Sequence, residues 1–362
     1  MIDFRYHLVS IVAIFLALAV GIVLGTTLLQ EPAVKSAQEL TAQLTKTKEE
    51  LRAQIDTLQG REAGNDAFIS AVTPELVAGD LAGQRVLLIE TPGSNTAWRE
   101  AAQQVLDQAG AEVTGRVTFT EKFLDPKGTG VLDGLVNQLK PVNMVFPETA
   151  TSWGRAAALL GASLVTNDTA QAGTPNTTTA DVVGAFEAGG LLTVDGDPAK
   201  RATLAVMFAP ERPYEGGSAE TQAGALVSVA DGFDAASKGT VLAGIAATTV
   251  TPGDVITALR DEGEVSKRVT GVDTADMPLG PVAIVYSLQE QLSGRAGQYG
   301  NGKGASGPIP AEAAPTPSHH RVRELTCPAG PVACSTRWPA PPSAPWPPAS
   351  PTPPSPATSP PT

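Results

Sequence analysis

The sequence predicts an α/β protein on a membrane anchor: an N-terminal transmembrane helix and a short coiled-coil stalk, then a mainly parallel α/β domain, then a disordered proline-rich C-terminal tail. Three observations lead there. Residues Leu8–Leu29 form one uncharged stretch, apolar residues recur every seven positions just after it, and beyond residue 80 short apolar runs alternate with amphipathic ones.

The uncharged stretch holds 22 residues, about 33 Å as a helix, which matches a bilayer core. A secretory signal has a shorter apolar region and a small-x-small cut site, so an uncleaved anchor is expected over 8–29. Residues 1–7 hold Arg5 with Phe4 and Tyr6 as interfacial aromatics, and the first charge past the span is Glu31. That asymmetry predicts a cytoplasmic N-terminus and an extracytoplasmic domain. One face carries Ala13, Ala17, Gly21 and Gly25, a small residue every fourth position, which allows close helix–helix approach in lipid.

A stalk is expected over 32–60. Pro32 suits a first helical turn, Ala37, Leu44, Leu51 and Leu58 recur as heptad positions, and Gly60 punctuates the pattern. The companion positions hold Leu40, Thr47 and Gln54, so two are polar and the coil is weak. Tethering raises the local concentration of neighbouring stalks, and a parallel homodimer through anchor and stalk is the expectation. The same helix is also suited to an envelope protein partner, or to lying against its own domain.

The α/β domain is expected over 80–300. After a helical stretch near Asp66–Val72, Arg85–Ile89 reads as a buried strand and Thr91–Asn95 as a turn into a helix through Gln108, with Ser94 or Asn95 as cap. Glu112–Phe119, Asn143–Phe146, Ala202–Phe208 and Thr240–Ile245 read as strands. Val131–Leu139, Ser152–Leu160, Thr221–Ala230, Asp254–Arg260 and Pro281–Leu292 read as helices.

Composition excludes several functions. The net charge of −12 and pI near 4.8 argue against nucleic acid as a partner. Before residue 319 the only histidine is His7, and both cysteines, Cys327 and Cys334, lie in the tail. The domain therefore lacks the parts of a Ser-His-Asp triad, a Cys-His pair or a histidine metal site, and no catalytic residue is assigned. The turn at Thr91-Pro-Gly-Ser lacks the glycine pattern and lysine of a phosphate loop. The carboxylate pairs Asp195-Gly-Asp197 and Asp273-Thr-Ala-Asp276 read as a surface turn and as caps that orient backbone amides. The chain is not expected to be an enzyme.

Asp3-Phe-Arg-Tyr-His-Leu-Val-Ser10, running on through the apolar stretch to Gly25, resembles the N-terminus of the mycobacterial copper-transport protein B family (MctB) of actinobacteria. Val272-Asp-Thr-Ala-Asp-Met-Pro-Leu-Gly280 and Gly294-Arg-Ala-Gly-Gln-Tyr-Gly300 resemble that family's C-terminal end, so the likeness covers roughly residues 1–304. It implies an envelope protein of copper homeostasis or transport. Copper as a ligand is implied by the resemblance only: copper favours sulfur and imidazole, and the domain offers scattered Met144, Met207 and Met277, so the metal ligands are unknown. A single apolar helix also has no polar lining for a pore. The family suggests a second role as well, an envelope scaffold that pairs with a membrane partner and controls peptidoglycan hydrolysis in cell separation.

The tail, 301–362, holds 18 of the 31 prolines and is expected to be disordered. It reads as a shifted frame or read-through, or as a genuine proline-rich spacer. His319, His320, Cys327 and Cys334 could bind copper by ligand type, at loose spacing.

Overall fold

The computed structural model describes residues 4–311 apart from 29, 176–177 and 246–250; the side chains of residues 4–5 and 26–37 are not described. The tail beyond residue 311, with its histidines and cysteines, lies outside the described residues. Two helices open the chain. Helix α1 (Phe4–Leu28) contains Tyr6–Gly25, the one stretch among the described residues long and apolar enough to cross a membrane, and its side chains from Tyr6 to Leu24 are all exposed.

Helix α2 (Gln30–Leu76) is 47 residues long, roughly 70 Å. This corrects the expected stop at Gly60: the helix runs on through Gly60 and Gly64 and absorbs the separate helix expected near Asp66–Val72. A lone glycine costs a helix only about 1 kcal/mol against alanine, and the Ala, Leu, Glu and Gln on either side outweigh it. Termination comes from Pro74, which lacks the N–H for a further turn, and the Thr73 hydroxyl donates to the Ile69 carbonyl at 2.7 Å.

The domain follows as β1 (Arg85–Glu90), α3 (Thr96–Gln108), β2 (Glu112–Phe119), α4 (Thr129–Leu139), α5 (Ser152–Leu164), α6 (Thr179–Ala188), β3 (Leu192–Gly196), β4 (Leu204–Phe208), α7 (Ala219–Ala236), β5 (Thr240–Ala243), α8 (Val255–Asp261), β6 (Thr270–Val272), α9 (Leu279–Leu292) and β7 (Gln298–Tyr299). The seven strands lie in the order β3-β2-β1-β4-β5-β6-β7, parallel throughout except for the antiparallel edge strand β3. The expected mainly parallel α/β domain is what forms.

Both faces of the sheet are covered, and strand residues alternate between them. Leu87, Ile89, Val117, Phe119 and Met207 point into a core under α4–α8, while Val86, Leu88, Leu204, Val206 and Phe208 point into a second core under α3 and α9. Continuous apolar strands such as Val86-Leu-Leu-Ile89 are what a doubly covered parallel sheet requires. Helices α5 and α7 cross at a pair of glycines: a methyl on Gly161 would meet the Gly232 carbonyl oxygen at 2.8 Å, and one on Gly232 would meet Ala157 Cβ at 2.6 Å.

Three expectations need correction. Asn143–Phe146 is a turn and loop, not a strand; Pro141 and Pro147 bracket it, and Val142 and Val145 stand in solvent. Asp195 belongs to strand β3, and only Gly196, at φ +82°, and Asp197 make the turn. Residues 301–310 belong to the fold, not the tail: Ile309 packs against the second core and Pro310 is buried.

Candidate functional site

In a doubly wound sheet a ligand crevice opens where the strand order reverses, outside the carboxyl ends of the strands. Here the reversal falls between β1 and β4, and the two following loops are tied together across it. Thr91 donates through its amide and its hydroxyl to the Phe208 carbonyl, at 3.3 and 2.8 Å. The Glu211 amide donates to the Gly93 carbonyl at 2.9 Å, the Tyr214 hydroxyl to the Pro92 carbonyl at 3.0 Å, and the Asn95 side-chain amide to Glu211 at 3.3 Å. Burial, with Glu121 nearby, raises the Tyr214 phenol well above its ordinary pKa, so it stays a donor. Asn95, not Ser94, caps α3, accepting from the Ala97 amide at 2.8 Å.

Beneath these loops lies a buried charge network. Glu90, at the end of β1, accepts from Arg99 Nε of α3 at 2.9 Å and from the Thr118 hydroxyl at 2.9 Å. Arg116 lies 3.5 Å from the other Glu90 oxygen and reaches Asp195 at 2.8 Å. Each charge has a partner on a different element, so the network pins α3, β1, β2 and β3 to one another. The first carboxylate pair is thereby divided: Asp195 joins this network, while Asp197 pairs with Lys200 at 3.2 Å on the surface.

Asp273, from the second pair, is fully buried at the end of β6. One oxygen accepts the Asn301 amide at 2.7 Å; the other accepts the Gly302 amide at 2.9 Å and pairs with Arg260 at 2.8 Å. Arg260 also donates to the carbonyls of Tyr299 and Lys303 at 3.2 and 3.1 Å. The amide-orienting role expected of this pair falls to Asp273, whereas Asp276 lines a groove of about 440 Å³ between α2, α3 and α9. Gly300 passes so close to the Asp273 carboxylate, at φ +125°, that no Cβ fits. The two distant stretches near the C-terminal end thus meet: β6 pairs with β7, the Tyr299 hydroxyl donates to Glu290 at 2.7 Å, and Met277 lies 3.7 Å from the Asn301 side-chain amide.

The widest groove, about 1010 Å³, runs between α5, α7 and α8 and is lined by Glu220, Asp231, Asp254, Asp261 and Glu262 among apolar residues such as Val227 and Val265. Two of these acids are already engaged: Asp231 pairs with Arg268, and Asp254 caps α8 by accepting the Thr257 amide at 2.9 Å. No group of three or more His, Cys, Asp or Glu among the described residues is placed to hold a metal ion. Met207 is in the first core, Met144 packs at its margin, and Met277 lines the groove on the opposite face.

The helical positions singled out from sequence lie along bare surfaces. Ala13, Ala17 and Gly21 are exposed on α1, Gly25 is half-exposed, and no atom outside the helix lies within 4 Å of a Cβ placed on either glycine. Leu44, Leu51 and Leu58 are 69%, 52% and 59% exposed on α2; Ala37 lies in α2, but its side chain is outside the description. Heptad counting missed Ile55, four residues after Leu51 and equally exposed, and Phe68 at 68%. A count on the straight-helix period would have found Ile55.

Fold and surface together define an anchored envelope domain: an apolar helix, a long exposed helix, and a doubly wound α/β head whose usual ligand crevice is tied shut. Over residues 1–310 the chain matches the family described as "Copper transport outer membrane protein, MctB", and it belongs to that family. It is 29% identical over 317 residues to "Copper transporter MctB" of Mycobacterium tuberculosis and of Mycobacterium bovis, and 30% identical over 321 residues to the protein of the same name from Mycobacterium leprae. Each alignment covers 84% of this chain and 98% of the relative.

Proposed function

We propose that the chain serves copper homeostasis at the cell envelope as a membrane-anchored dimer, with its N-terminus in the cytoplasm and its α/β head held outside on α2. Family membership supports the copper role, since the relatives are named copper transporters. The assembly rests on one observation: α2 presents Leu40, Leu44, Leu51, Ile55 and Leu58 to solvent over five turns. A leucine that becomes fully buried gains about 1.5–3 kcal/mol, and copies tethered in one bilayer meet at high effective concentration. The small-residue face of α1 supports the same pairing within the lipid. In this reading the head is not an enzyme, and copper is handled by the assembly or a partner rather than within one isolated head.

The test is intracellular copper in cells lacking their own copy of the protein. The wild-type chain should restore low copper, and a Leu44→Glu, Leu51→Glu, Leu58→Glu variant should not, although its head still folds. Full rescue by the variant would sink the assembly half of the proposal, and failure of the wild type would sink the copper half. Calorimetry with copper(I) on the purified full chain separates direct binding from indirect action. A second reading takes the same stripe as the seat of a membrane partner's helix, in a scaffold that regulates peptidoglycan hydrolysis during cell separation. The polar Thr47 and Gln54 on the stripe favour it, because they weaken self-pairing.

A further inference from the structure

The apolar stripe of α2 extends further than its exposed part. Leu40, Leu58 and Leu76 stand at intervals of 18 residues, which is five helical turns; Leu51 and Ile69 are another such pair, and Ile55 and Thr73 a third. Whole turns bring a side chain back to the same direction. The face carrying Leu40, Leu51, Ile55 and Leu58 is therefore the face carrying Ile69, Thr73 and Leu76.

Its two ends have different surroundings. From Leu40 to Leu58 the stripe is bare. From Ile69 onward it lies on the chain's own head: Ser70 and the buried Thr73 line a groove with Trp98 of α3 and Pro281 of α9, the Tyr286 hydroxyl donates to the Leu76 carbonyl at 3.2 Å, and Val77 just beyond is fully buried.

We infer that a second copy of this chain takes the bare stretch and that its hold ends near Leu58, because the head already occupies the same face above. This rests on the pairing proposed above. The anchor starts every stalk at the same height, and the stripe itself is built from Leu, Ile, Thr and Gln without a charge between Leu40 and Leu58, so two copies meet in register without like-charge opposition. Paired helices stand about 8–10 Å apart. At the level of Ile69 that spacing leaves no room for two heads on the facing sides, so the stalks part between Leu58 and Ile69. Gly60 and Gly64 lie in that interval with open space around them, where a helix bends at least cost. The assembly is a fork: one paired shaft and two separate heads, each on its own helix.

The test uses the full chain in lipid bilayers with Cys327→Ser and Cys334→Ser, spin-labelled at Leu44→Cys, Leu51→Cys, Asn65→Cys or Phe68→Cys, and inter-copy distances from pulsed electron spin resonance. Labels at 44 and 51 should report helix contact at about 10 Å between axes, and labels at 65 and 68 roughly double that or more. Short separations at all four positions overturn the fork and leave pairing intact; no inter-copy signal at 44 and 51 overturns the pairing itself. Hydrogen exchange adds a second readout. Residues 69–76 should be equally protected in the paired chain and in the unpaired Leu44→Glu, Leu51→Glu, Leu58→Glu variant, and protection lost on pairing would mean that the partner displaces the head, overturning the inference.

Discussion

Asp273 and Arg260 remove two charges from water, a desolvation cost that one ion pair does not reliably offset; the two amides of Asn301 and Gly302 supply the rest. Asp273→Ala leaves a buried guanidinium and two amides without their acceptor. We expect it to destabilise the head by about 3–5 kcal/mol in denaturant titrations, and Asp273→Asn, which keeps an acceptor, by less. Asp234 behaves differently. Burial pushes its carboxyl up to about 6 although the Thr240 amide and Arg268 pull it down, and Asp231 adds to the rise. A carboxyl with a raised folded-state pKa holds its proton longer in the folded than in the unfolded chain, so its contribution to stability is present below the unfolded value near 4 and is lost as pH rises through about 6. The expected outcome is a fall of about 1–3 kcal/mol across that window, absent in Asp234→Asn, as measured by chemical denaturation at each pH. Short-range roles were legible in the sequence, as with Asn95 at a helix start and the aspartates before Met277. The partners were not, because Arg99 and Arg260 reach Glu90 and Asp273 only through tertiary packing.

Secondary structure was most legible where the pattern was long. Strands β1, β2 and β4 and helices α3, α5, α7 and α9 announce themselves by runs of apolar text. Strands β6 and β7 have three and two residues, too few for any period to show, and β3 reads Leu-Thr-Val-Asp-Gly, half polar because it is an exposed edge. Asn143–Phe146 misled in the opposite direction: its apolar residues serve an exposed loop. In α2, Gly60 and Gly64 touch nothing outside the helix. Gly60→Ala and Gly64→Ala should each add about 1 kcal/mol to local helix stability, seen as slower amide exchange over residues 56–68, with no change in the melting of the head. In the fork, the double substitution should also narrow the range of angles between the two arms.

The whole molecule closes where the family match closes. The match ends at residue 310, and the last residue of the fold is the buried Pro310 beside Ile309. Ending the chain after residue 311 should leave the melting temperature of the head unchanged, whereas ending it after Tyr299 should unfold the region around Asp273; calorimetry on the two shortened chains distinguishes these outcomes. One further consequence follows from the way the stalk enters the sheet. The turn after α2 feeds directly into β1, the Leu81 amide donates to the Ala109 carbonyl, and the Glu112 amide donates to the Gln84 carbonyl. Strand β1 is hydrogen-bonded on both sides, to β2 and to β4. Tension on the anchor, as when membrane and wall move apart, would load an interior strand in shear against two ladders at once instead of unzipping an edge strand one bond at a time, and a head attached this way is built to bear mechanical load.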